Sequence, residues 1–113
     1  MQVDILGSKY KIVRRDPQKC SELDGLSGYV KYYDKLIVIA DHKKLWPEES
    51  AENQIAGEKA TVRHEIVHAF LFESGLWSST VTTCWAINEE MVDWIALQLP
   101  KIVKACEDAE AMR

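Results

Sequence analysis

Hydrophobic and polar positions alternate through the first forty residues and then give way to longer, helical spacing. Residues 2–6 and 9–14 flank Gly7-Ser8, a two-residue turn of hairpin type. Asp16-Pro17 starts a short helical turn to about Leu23, with Asp16 as its cap and Pro17 at the first helical position. Residues 28–33 and 36–40 flank Asp34-Lys35 and predict a second hairpin. The run from Leu36 to Ala40 is continuously apolar and rich in β-branched residues, the pattern of a buried strand.

After Trp46-Pro47 the pattern becomes helical. Glu48 and Glu49 suit a helix N-terminus, where the dipole favours negative charge. The spacing predicts a helix from about Glu49 to Ser74, interrupted near Gly57 and capped by Gly75. Residues 76–83 read as a loop, and a second helix follows from about Trp85 to Leu99. Pro100 starts a third, short helix, and the polar tail frays. The expected fold is α+β in one domain of 113 residues, β-rich over about 1–47 and helical over about 48–113.

Composition narrows the function classes. Apolar residues make up 47% of the chain and charged residues 28%, with a net charge of −4. That balance speaks against nucleic acid as a partner, since phosphate binding needs clustered cations. The one basic cluster, Lys9, Lys11, Arg14 and Arg15, reads as a solvated strand edge. No apolar stretch reaches the roughly 18 residues that a membrane span needs, and the start does not read as a signal peptide. Cys20, Cys84 and Cys106 are odd in number and widely spaced, which fits reduced thiols and a cytoplasmic location.

The chemistry lies in residues 61–73, TVRHEIVHAFLFE. His64 and His68 stand one helical turn apart, about 40° around the axis and 6 Å along it. Two imidazoles so placed converge on one ion at a Zn–N distance of about 2.0–2.1 Å. Glu65 lies about 100° away, outside the ligand direction but within reach of a metal-bound water, whose proton it can take. Val62, Ile66, Val67, Ala69, Phe70 and Leu71 surround the motif, so the helix belongs in a core. Polar groups buried there need a partner, and a metal ion supplies one.

A third ligand is required. On a wheel of the second helix, Ile87, Met91, Val92, Ile95, Ala96, Leu99 and Val103 fill about half the circumference. Glu89 borders that arc, whereas Glu90 lies deeper in the polar side. Glu89 is therefore the expected ligand. Asp93, one turn on, is placed to hydrogen-bond the free ring nitrogen of a ligand histidine.

These residues resemble the gluzincin metallopeptidases. His64-Glu65-x-x-His68 is followed 21 residues later by Glu89, and Glu89 and Asp93 match the family's ExxxD pattern. The small size and β-rich start look closest to the ImmA/IrrE-like peptidases of phages and mobile elements, or to minimal single-domain gluzincins. The resemblance is at motif level from Thr61 to about Leu99 and architectural before that. It implies a zincin-like fold, a twisted sheet packed on the active-site helix, and an edge strand that receives an extended peptide. Leu36 to Ala40 is nominated for that edge.

The leading expectation is a Zn²⁺-dependent peptidase acting on a peptide or protein, with Glu65 as general base. The competing one is a zinc-stabilised binding or regulatory module with little turnover, and the third is a metal-free domain that merely carries the string. The donor to the developing oxyanion is unassigned. Tyr29, Tyr32, Tyr33, His42 and the loop from Ser78 to Thr83 all carry suitable groups. Of the four tryptophans, Trp77 is the one nominated to line a pocket.

Overall fold

The computed structural model describes residues 1–79 and 88–112. Four strands form one mixed sheet: β1 (Gln2–Ile5), β2 (Ser8–Arg15), β3 (Gly28–Lys31) and β4 (Leu36–Ala40), in the order β1-β2-β4-β3. Four helices follow: α1 (His42–Leu45), α2 (Ala51–Glu73), α3 (Leu76–Ser79) and α4 (Glu89–Asp108). The expected α+β class is what this architecture is.

Both hairpins form, but the first turns one residue earlier than expected, and in the second β3 ends at Lys31, so its loop is the four residues Tyr32 to Lys35 rather than Asp34-Lys35. In the first, Ile5 pairs with Ser8, so Leu6-Gly7 is the loop, with φ of 52° and 91°. Positive φ at both positions matches the twist of the flanking strands. The two hairpins then join through a parallel pairing of β2 with β4, Lys11 opposite Leu36 to Arg15 opposite Ala40. This pairing corrects two expectations. Leu36–Ala40 is an interior strand bonded on both sides, so it is not an edge; the edges of the sheet are β1 and β3. Lys9, Lys11, Arg14 and Arg15 are exposed as expected, yet their strand is interior as well.

The position of β4 explains its unbroken apolar run. Ile37 and Ile39 join Ile5, Tyr10 and Ala69 under α2, while Val38 and Ala40 join Leu23 on the opposite face. A strand covered on both faces has no polar side to show.

The segment from Asp16 to Leu23 is a turn, at whose start Asp16 Oδ1 accepts from Gln18 N at 2.9 Å, followed by a separate 3-10 helix at Ser21–Leu23, rather than one continuous helical turn. His42 opens α1, where its buried ring donates from Nδ1 to Ala40 O (2.8 Å) and sets Nε2 3.3 Å from Thr61 Oγ1. Ser50 caps α2 by accepting from Asn53 N at 3.1 Å. Gly57 does not break α2. It lets the Trp46 ring lie on the helix backbone, where an added Cβ would stand 2.2 Å from Trp46 Cζ3. Gly75, at φ 83°, ends the helix as anticipated.

Residues 76–79 are helical rather than loop, and the remainder of the expected loop lies outside the described residues. Asn88 caps α4 by accepting from Met91 N at 2.8 Å, so this helix starts at Glu89; Trp85 is outside the described residues. Pro100 stands inside α4 and does not begin a new helix. Among the described residues no helix is long and apolar enough to cross a membrane.

Candidate metal centre

The centre lies where α2 is held between the sheet and α4. Strand β3 forms one wall of a cleft of about 790 Å³, and the motif side chains and α4 form the other. Period-two alternation sends Gly28 and Val30 toward α2 and Tyr29 to the opposite face. Gly28 allows a close approach, since a Cβ there would meet Thr61 Cγ2 and Val38 O at 3.0 Å and Glu65 Cγ at 3.3 Å.

Three of the predicted residues converge. His64 Nε2 and His68 Nε2 are 3.1 Å apart. Glu89 Oε2 lies 3.1 Å from the first, and Glu89 Oε1 lies 2.8 Å from the second. Donors about 2.0–2.1 Å from a tetrahedral ion would stand roughly 3.3–3.4 Å from one another. The two imidazole nitrogens are slightly closer than that, and Glu89 spans the pair with one oxygen toward each ring, so a small opening admits an ion. Two ring nitrogens face each other with room for only one hydrogen between them, a contact that a shared cation resolves. This group can hold a metal ion.

Asp93 takes the place expected of it. Its Oδ1 lies 2.5 Å from His64 Nδ1, which puts the ring hydrogen on Nδ1 and leaves the Nε2 lone pair free. Glu90 is exposed and outside the group, again as expected. The two α4 carboxylates are exposed, at 67% for Glu89 and 62% for Asp93, so the centre opens to solvent on that side.

Glu65 sits beside the triangle. Its Oε1 is 4.0 Å from His64 Nε2, and its Oε2 is buried with no hydrogen-bond partner. Burial pushes its carboxyl up to about 7; the His64 ring opposes this, and the Glu89 and Asp93 charges add to it. An orphaned carboxylate oxygen next to three convergent donors fits a site that holds a metal and a water. His68 Nδ1 is likewise buried and unpartnered, and burial lowers the pKa of that ring. A lowered pKa favours the neutral imidazole that binds metal.

The structure also sorts the residues left open for the oxyanion. Tyr29 Oη donates to Glu22 Oε1 at 3.3 Å on the far face, and Tyr33 is 89% exposed. The ring nitrogens of His42 face Ala40 O and Thr61 Oγ1. Tyr29 and Tyr32 both line the cleft, and of these two Tyr32 is the one on which the charges of Glu65 and Glu89 act. Its phenol is pushed up to about 12 by burial and by the charges of Glu65 and Glu89, and its ring stacks on Phe72 at 4.6 Å. Tyr32, one residue past the end of β3, keeps step with Gly28 and Val30, and it is the register of β3 that turns this face to α2. Ser78 to Thr83 lies largely outside the described residues. Trp46 lines the cleft, whereas Trp77 packs on Tyr32 and Phe72 behind it.

Comparison of the chain with protein-family models, curated proteins and solved structures gave no match.

Proposed function

We propose that this protein is a zinc-dependent peptidase, with His64, His68 and Glu89 as ligands and Glu65 as general base. The observation that carries the reading is the cluster of His64, His68 and Glu89, whose two Nε2 atoms lie 3.1 Å apart and each 2.8 to 3.1 Å from one of the two Glu89 oxygens, with the unpartnered Glu65 oxygen beside it. Bound zinc supplies Lewis-acid polarisation of a carbonyl and lowers the pKa of water from 15.7 toward about 7.

The chain's own residues perform the rest. Glu65, with a carboxyl near neutrality before metal enters, takes a proton from water and passes it to the leaving nitrogen. Asp93 fixes the His64 tautomer and ring direction. Tyr32 stays protonated far above neutral pH and donates to the oxygen that gains charge as the carbonyl is attacked. An extended peptide pairs with the free edge of β3, whose residues already border the cleft. Aligned there, its backbone carbonyls pass in front of the triangle.

The test uses a quenched peptide library and the metal-loaded protein. Glu65→Gln should retain zinc and lose turnover by at least about 100-fold, the scale of removing an acid–base catalyst. Turnover equal to the parent's removes Glu65 from the mechanism. Turnover absent from both proteins, with zinc bound, favours the binding-module reading.

A further inference from the structure

Two helices carry the candidate metal ligands, and one hydrogen bond between them follows from a proline. Pro100 lies inside α4 and has no amide hydrogen. The carbonyl of Ala96, four residues earlier, therefore lacks its helical donor. Ala96 is 2% exposed, and a buried carbonyl needs a partner. Arg63, on α2, supplies one: its Nε donates to Ala96 O at 2.8 Å.

The location of that bond gives it a consequence. Arg63 directly precedes His64, and Ala96 lies three residues after Asp93 on α4. The fully buried residues of α4 are Val92 and Ala96, both small and apolar. Such a contact resists separation but allows sliding and rotation, because burial is not directional. Glu89 and Asp93 are mostly exposed, and their described partners are the two imidazoles themselves. Something directional must fix the helix on which they stand.

We propose that Arg63 is a positioning residue for the metal centre. Pro100 frees the Ala96 carbonyl, the Arg63 guanidinium takes it, and the bond sets the register of α4 against α2. In that register Asp93 meets His64 Nδ1, and Glu89 reaches both Nε2 atoms. The role in metal binding rests on the reading of His64, His68 and Glu89 as ligands; the bond and the register do not.

The experiment compares four proteins: the parent, Arg63→Met, Pro100→Ala and the double variant. Pro100→Ala restores an amide at position 100 that serves one lone pair of the Ala96 carbonyl within the helix and leaves the other to Arg63, so the carbonyl no longer depends on Arg63 while the bond between the helices persists. Urea unfolding should then show that Arg63→Met destabilises the proline-containing protein clearly and the Pro100→Ala protein little. Zinc affinity, read by chelator competition, should fall about tenfold or more with Arg63→Met in both backgrounds, the scale of losing an outer support of a metal site. That split separates positioning from mere satisfaction of a carbonyl. Zinc loss that disappears along with the stability loss in the Pro100→Ala background overturns the proposal, as does parental zinc affinity in Arg63→Met.

A metal-independent readout stands beside these. The Nδ1 proton of His64, held by Asp93, should give a downfield NMR resonance in the metal-free parent that Arg63→Met loses. Its persistence in Arg63→Met overturns the positioning role even if zinc proves not to bind. A parent that shows the resonance but binds no zinc overturns the ligand reading alone. Should Arg63→Met fail to fold, the double variant compared with Pro100→Ala carries the same three readouts.

Discussion

Replacing Gly28 with alanine probes a close contact between the sheet and the residues of the candidate centre. The backbone at Gly28 does not need glycine for its conformation, because its φ is not in the left-handed region. Alanine in a strand would by itself gain about 0.5–1 kcal/mol. Against this stands the new Cβ, 3.0 Å from Val38 O, 3.0 Å from Thr61 Cγ2 and 3.3 Å from Glu65 Cγ. Val38 O belongs to the backbone of interior strand β4 and cannot swing aside. Thr61 is β-branched, and its hydroxyl is held by Gly57 O at 3.0 Å. The relief must come from β3 and from Glu65. Overpacking of this kind costs about 1–3 kcal/mol, so the net effect is destabilisation of roughly 1–2 kcal/mol. That corresponds to a fall in melting temperature of roughly 4–10 °C for a chain of this size. The three nearest atoms belong to Val38, Thr61 and Glu65 and not to the three candidate ligands, so zinc affinity should remain near the parent's. Peptide hydrolysis should drop by about tenfold or more, since small misplacements of a catalytic group are expensive. Differential scanning fluorimetry, zinc titration and hydrolysis on one preparation supply the three numbers. An unchanged melting temperature, or a loss of zinc affinity as large as the loss of rate, refutes the reasoning.

Other outcomes follow from the same contacts. Gly57→Ala should destabilise by about 1–2 kcal/mol in urea, because the clash with Trp46 outweighs the helical gain of about 1 kcal/mol. In a Trp46→Ala background the same change should instead stabilise. Glu65 has a folded pKa of about 7, above its unfolded value, so its stabilising contribution is present below about pH 4.5 and is lost as pH rises through 7. Metal-free Glu65→Gln should therefore melt higher than the metal-free parent at pH 8, and parity there refutes the burial argument. Glu73 shows the opposite sign. Hydrogen bonds from Lys35, Tyr10 and Ser8 hold its carboxyl at about 2, so its contribution is full above about pH 4.5 and is lost as pH falls toward 2. Glu73→Gln should flatten the melting profile over that range.

Much of this arrangement is legible in the chain itself. His64 and His68 share a helix face by spacing alone, and the apolar arc of the second helix singles out Glu89 and Asp93 over Glu90. Local signals also place both hairpins and the end of α2 at Gly75. The parallel pairing of β2 with β4 leaves no such trace. It joins segments 25 residues apart without a turn of its own, and Leu36–Ala40 reads as buried whichever strand lies beside it. The edge was assigned wrongly for that reason. Pro100 and Gly57 mislead in the same manner: each is a local breaker made tolerable by a distant partner, Arg63 for the freed carbonyl and the Trp46 ring for the bare backbone. Turn registers depend on positive φ at Leu6, which no sequence preference announces. Tyr32 is separable from Tyr29 and Tyr33 only once the register of β3 is known.

Calorimetric titration of the purified, metal-stripped chain with zinc, run beside His64→Ala and Glu89→Gln, tests the centre most directly. One ion per chain, bound tightly by the parent and at least about tenfold more weakly by each variant, is the expected result. A parent without saturable zinc, or variants that bind as the parent does, contradicts it.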